Sequence, residues 1–169
     1  MVTEQLDHAI RQLLCACFPG DAAVFARSRA WHDSAPAYSV VALDGERLVG
    51  HIGMVEREVL AGTVPARIVG VQNFCVATSH RGTSLSQSLM MSALAEATLR
   101  RIPFGLLFCI PEIERIYVRF GWRCRRESVA MRDEFGRSTP IPDKNICMGI
   151  ELTEQPFPPG PIDLCGRDW

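Results

Sequence analysis

"HRGTSLSQSLM" (His80–Met90) follows directly on the β-branched run "ARIVGVQNFCVAT" (Ala66–Thr78), and the change of period between them decides how the chain folds. The run up to Thr78 predicts a strand. Beyond it, Leu85, Leu89, Leu94 and Leu99, with Ala93 and Ala95, predict a helix from Ser84 to about Arg101. A strand passing through a short turn into a helix leaves unpaired amides at the helix start, where the helix dipole adds positive potential and favours a phosphate. Arg81 contributes a full charge with bidentate reach, and Gly82 permits close backbone approach. A plainer explanation exists for the same residues. Ser84-Leu85-Ser86-Gln87 fits the S-x-x-Q capping box, in which Ser84 and Gln87 simply close the helix start.

Upstream, Thr3 to Phe18 reads as a helix with Leu6, Ile10, Leu13, Leu14 and Cys17 on one face and Glu4 and Asp7 in the first turn. "FPGD" (Phe18–Asp21) ends it, and a shorter helical stretch is expected to run on to Trp31. "AYSVVALDGERLVGHIGMVEREVL" gives two apolar runs about Asp44-Gly45, a strong hairpin signal. Downstream, "PFGLLFCIP" (Pro103–Pro111) predicts a buried strand. "EIERIYVRFGW" predicts a helix with Ile113, Ile116, Tyr117 and Phe120 on one face and Gly121 as its C-cap. "SVAMRD" and "NICMGIEL" are further strand candidates, and a proline-rich arm runs from 153 to 169. The order describes an α/β chain of the α+β type, with a mixed sheet flanked by helices.

At 169 residues the length predicts a single domain, 1–169, with material for a sizeable core. Eighteen basic residues against 19 acidic ones leave a net charge of −1, which gives no general attraction to nucleic acid. The longest apolar run, Phe104–Ile110, is far too short for a membrane span, and "MVTEQLDH" does not read as a signal peptide. The seven cysteines are scattered and odd in number, without a CxxC pair or a zinc-like histidine spacing. Buried thiols in a reducing cytoplasm, and no metal, are the expectation. Cys109, at a strand end, is read as a buried thiol before it is read as a nucleophile. The four histidines form no ligand pattern.

From Leu6 to Leu152 the arrangement resembles the GCN5-related N-acetyltransferase (GNAT) superfamily. That family's acyl-coenzyme A signature, Q/R-x-x-G-x-G/A, is met by Arg81, Gly82, Thr83, Ser84, Leu85 and Ser86, with serine at both later small positions. "IYVRFGWR" (Ile116–Arg123) and the "LDGERLVGHIGM" hairpin (Leu43–Met54) are two further landmarks in the right order. The chain is similar to aminoglycoside 2′-N-acetyltransferases in "FPGD", "RLVGHIGMVEREVLAG", "YVRFGW" and a terminal tryptophan. It is similar to nodulation N-acyltransferases in "RAWHDSAPAYSVVALDG" and "IPFG". The resemblance implies a mostly antiparallel central sheet and transfer of an acetyl or longer acyl group from coenzyme A to a primary amine, an amino sugar among the candidates.

On that resemblance, Phe74, Cys75 and Val76 offer main-chain groups to the pantetheine arm as an added strand would. Tyr117 assists the departing thiolate, a phenol of pKa near 10 facing a thiol of pKa near 8–9. The position where the aminoglycoside branch carries a glutamate base holds Gln72, which cannot take a proton; Glu56, Glu58, His51, Asp21 and the terminal carboxylate of Trp169 are the substitutes to weigh. Asp21, Gln72, Asn73, Asp168 and Trp169 are the expected acceptor-side residues, with Asp168 supplying negative charge and Trp169 docking over the cleft. A cytoplasmic enzyme working on a small-molecule amine, alone or as a homodimer, is one reading. A non-catalytic acyl-coenzyme A sensor is the other, supported by Ser84, Ser86 and Gln72 and opposed by Tyr117.

Overall fold

A computed structural model describes residues 3–169. Thr3 caps the first helix, α1 (Glu4–Cys17), its hydroxyl accepting from the Leu6 amide at 3.2 Å, and Ile10, Leu13 and Leu14 are the buried face. The next helix, α2, spans only Ala22–Phe25 and does not reach Trp31 as expected. Beyond Phe25 the backbone is claimed by side chains instead: Ser28 Oγ accepts from the Ala30 amide, and Gln72 Oε1 accepts from that of Trp31.

Strands β1 (Tyr38–Asp44) and β2 (Arg47–Ala61) form the hairpin expected about Asp44-Gly45, with Gly45 at φ +60°. The fifteen residues of β2 pair with β3 (Val64–Val76) along one side. Helix α3 (Leu85–Leu99) follows, ending two residues before Arg101, whose φ of +57° cannot continue a helix. Then come β4 (Phe104–Cys109), α4 (Glu114–Val118), β5 (Arg123–Cys124), β6 (Val129–Arg132), β7 (Ser138–Pro140), β8 (Ile146–Glu151) and β9 (Ile162–Asp163). The sheet runs β5-β8-β4-β3-β2-β9-β6-β7 with β1 also on β2, and only β3–β4 and β6–β9 are parallel. This is a mixed, mostly antiparallel sheet, with α3 and α4 in contact with one core cluster and α1 and α2 with another. Among the described residues no helix is long and apolar enough to cross a membrane.

Two further details depart from sequence expectation. Ile116 is 40% exposed, so α4 buries Tyr117 without the full apolar face its spacing suggested. The C-terminal arm docks by contacts that no periodicity announces. Phe157 packs edge-on to Phe104, β9 bridges β2 and β6, and Trp169 is buried.

Candidate active site

The site begins where β3 and β4 part. They are paired from Ile68–Phe104 to Val71–Leu107 and no further. Past that point β3 stays with β2 (Cys75 opposite His51, Val76 opposite Gly50), whereas β4 stays with β8 as far as Cys109 opposite Ile146. A bulge sets the divergence. Asn73 and Phe74 together oppose Ile52, and Asn73 takes φ +53°, a conformation that asparagine tolerates better than most residues. The bulge is pinned on every side: His51 Nδ1 donates to the Asn73 carbonyl (2.9 Å), and the Asn73 amide donates to Arg29 O (2.7 Å) and Gln72 Oε1 (3.2 Å). Residues 72–76 therefore face the gap with their β4-side edge unpaired by any described strand.

At the mouth of the gap lies the turn into α3. The amides of Gly82, Thr83, Ser84, Ser86 and Gln87 have no hydrogen-bond partner among the described residues. Gly82, at φ +76°, is the one residue of the turn that needs the left-handed region, while Ser84 sits at φ −72° and Ser86 lies inside the helix. Serine thus costs nothing at either position where the family pattern has small residues. The capping box does not form. Ser84 makes no side-chain cap bond; Thr83 Oγ1 accepts from the Leu85 amide (3.3 Å) and donates to His80 O (2.7 Å) in its place. The Ser84 hydroxyl is left exposed beside the open amides. Arg81 is exposed at the same mouth, its Nε donating to Val76 O at 3.3 Å.

Within the gap is a cavity of about 250 Å³ that brings together Asp21, Gln72, Asn73, Phe74, Tyr117 and Trp169, six of the residues named from sequence. Tyr117, buried on α4, stands 6.3 Å from Phe74 ring to ring, and its hydroxyl makes no hydrogen bond among the described residues. Burial pushes its phenol well above the ordinary tyrosine range, with the neighbouring Cys109 a smaller cause, so it is a proton-bearing donor at any physiological pH. Cys109 lines the same cavity with its thiol pushed up to about 11 by burial and then by the charge of Glu114. It is protonated near neutrality and is no nucleophile.

Trp169 covers the cavity from the arm side. Its indole lies where a Cβ on Gly70 would stand, its ring is 5.1 Å from that of Phe108, and the Arg57 guanidinium sits 5.2 Å from its centroid. Asp168 corrects an expectation. It is buried, its carboxylate is held by His32 Nδ1 and its carbonyl accepts from Ser34 Oγ (2.9 Å), so it is a latch for the arm and not a free charge on the cavity wall. Gln72 is likewise fully used. Nε2 donates to Ser34 O (2.7 Å) while Oε1 accepts from the Trp31 and Asn73 amides.

The substitute bases sort themselves by position. Glu56 is tied to Arg67 and Arg100, both at 3.0 Å, and is held below the usual carboxylate range by those partners despite the opposing effect of desolvation. His51 is fully buried behind the bulge. Among the described residues Asp21 is the one acidic side chain on the cavity wall, and Trp169, whose terminal carboxylate is the other candidate there, lines it too. Phe18, Phe25, Trp31, Phe108 and Ile113 also line it and were not anticipated. Trp31 lies in an irregular loop fastened by a side chain 41 residues away, so no local pattern could have flagged it.

A family model described as an acetyltransferase (GNAT) domain matches residues 2–125, and the chain belongs to that family. In fold it is similar to the GNAT family N-acetyltransferase YhbS from Escherichia coli in complex with CoA (TM-score 0.68, 17% identity, 94% of this chain and 83% of that one). A GNAT family acetyltransferase from Brucella melitensis in complex with acetyl-CoA gives a TM-score of 0.63 at 18% identity, covering 95% and 90%. An aminoglycoside 6′-N-acetyltransferase complexed with coenzyme A gives 0.62 at 15% identity, covering 92% and 95%. No curated protein matches the chain in sequence.

Proposed function

We propose that this protein transfers an acetyl or other short acyl group from coenzyme A to a primary amine by direct attack within the β3–β4 gap. The carrying observation is the unpaired edge of β3 at residues 72–76, which opens onto a cavity containing Tyr117 and begins at a turn with open amides. Phe74, Cys75 and Val76 would pair with the amide groups of the pantetheine arm as an added strand. The open amides of Gly82, Thr83, Ser84, Ser86 and Gln87, the Ser84 hydroxyl and Arg81 would hold the pyrophosphate.

The chemistry needs no covalent enzyme intermediate. The free amine nitrogen attacks the thioester carbonyl carbon; a C–N bond forms and the C–S bond breaks. Tyr117 donates a hydrogen bond to the departing sulfur, which leaves as thiolate. So weak an acid acts chiefly as a donor to developing charge. The surplus proton on nitrogen passes to Asp21, on the cavity wall, and from there to solvent. Holding both reactants in one cleft supplies most of the acceleration.

Calorimetry with coenzyme A tests the donor site. Arg81→Glu puts a carboxylate beside the pyrophosphate and is expected to weaken binding at least about tenfold in a folded protein. Unchanged affinity would remove the pyrophosphate from this turn. Free-thiol release from acetyl-coenzyme A with an amine panel tests the reaction.

A further inference from the structure

We infer that the acceptor is a compact monoamine with an apolar, ring-sized body, and not a polyhydroxylated amino sugar or a long polyamine. This rests on the acyltransferase reading above and names the substrate class of the same cavity.

Size sets the first limit. The cavity holds about 250 Å³, below the roughly 300–1,000 Å³ of sites for drug-sized ligands, and the thioester end of the donor must share it. The walls set the second. Phe18 and Phe25 are in ring contact at 5.7 Å, Phe25 and Trp31 at 5.8 Å, and Phe108 and Trp169 close the other side at 5.1 Å. These aromatic faces meet an apolar body without requiring any polar partner.

The polar inventory sets the third limit. Asp21 carries the single charged side chain on the wall among the described residues, enough for one ammonium. Gln72 spends its donor on Ser34 O and its acceptor on two amides. The Asn73 amide hydrogens are both engaged, which leaves its Oδ1 and the Tyr117 hydroxyl as the uncommitted side-chain oxygens besides Asp21, and the Trp169 indole nitrogen is buried against Gly70. Each sugar hydroxyl buried here without a partner would cost about tenfold in affinity. Additional ammonium groups would find no second acidic side chain among the described residues.

The test compares acceptors with acetyl-coenzyme A as donor: 2-phenylethylamine, kanamycin and spermidine. 2-Phenylethylamine is expected to show the highest kcat/KM by at least about tenfold. Trp31→Ala should raise its KM about tenfold while leaving coenzyme A affinity unchanged, and Trp31→Phe should restore most of the loss. A higher kcat/KM with kanamycin or spermidine overturns the inference and leaves the acyltransferase reading standing. Coenzyme A binding without turnover of 2-phenylethylamine overturns it as well. Hexanoyl-coenzyme A preferred over acetyl-coenzyme A, with Trp31→Ala raising the donor's KM and not the amine's, assigns the aromatic wall to the acyl chain and likewise refutes it. Absence of both coenzyme A binding and turnover removes the underlying function.

Discussion

At the scale of single residues, Gln72 and Tyr117 carry the sharpest expectations. At Gln72 the resemblance leads to the expectation of a base, but its amide fastens the Trp31–Ser34 loop to β3 through one donated and one accepted bond. A carboxylate could keep the bond from the Trp31 amide and would lose the one to Ser34 O, leaving an acceptor against an acceptor. Gln72→Glu is therefore expected to destabilise the fold by about 1–3 kcal/mol in urea denaturation and to raise the amine's KM, with no gain in turnover. Tyr117→Phe removes only a donor to the leaving sulfur. A kcat fall of about 10²–10³ with unchanged coenzyme A affinity is expected in single-turnover and calorimetric measurements. Wild-type turnover in a folded variant would return Tyr117 to a purely packing role.

Among the elements, the turn into α3 and the docked arm are the informative ones. Because neither Ser84 nor Ser86 occupies a left-handed conformation, restoring glycines would not improve the cradle. Ser84→Gly is expected to leave coenzyme A affinity within about threefold, whereas Ser86→Gly weakens α3 by roughly 0.5–1 kcal/mol. The arm depends on a glycine elsewhere. A Cβ at position 70 would stand inside the Trp169 indole, so Gly70→Ala should displace the ring and loosen the last residues. Increased cleavage of the arm in limited proteolysis and a red-shifted tryptophan emission would register this; an unchanged digestion pattern would show that Trp169 is not held by that contact.

For the molecule as a whole, His51 makes stability depend on pH. Burial lowers its pKa from 6.5 to about 4, against the opposing effect of its bond to Asn73 O. Between those values the unfolded chain binds the proton and the folded chain does not. Stability is therefore full above about pH 6.5 and falls as pH drops toward 4, by about 3 kcal/mol in all. Urea midpoints across pH 7.5–4.5 should trace this slope, and His51→Gln should flatten it. The raised phenol of Tyr117 stays protonated throughout that range, so it adds no limb to the activity profile there.

Local chemistry in the chain determined much of this. The hairpin at Asp44-Gly45, the buried strand Phe104–Cys109 and the strand-turn-helix about Gly82 follow from side-chain period and from backbone conformations that neighbouring residues dictate. Arg81, Gly82 and Tyr117 could be singled out from the sequence because each belongs to a short motif whose spacing carries its own mechanism. Only the tertiary structure decided the aromatic wall of the cavity. Trp31 is placed by Gln72 and Trp169 by a bare glycine ninety-nine positions earlier in the chain, while the arm that carries Trp169 is latched through Asp168 and His32, and such contacts leave no periodic trace. The capping box failed for the same reason. Ser84 satisfies the motif, but in the folded turn its hydroxyl makes no cap bond and the Thr83 hydroxyl accepts from the Leu85 amide, an outcome the motif alone cannot show.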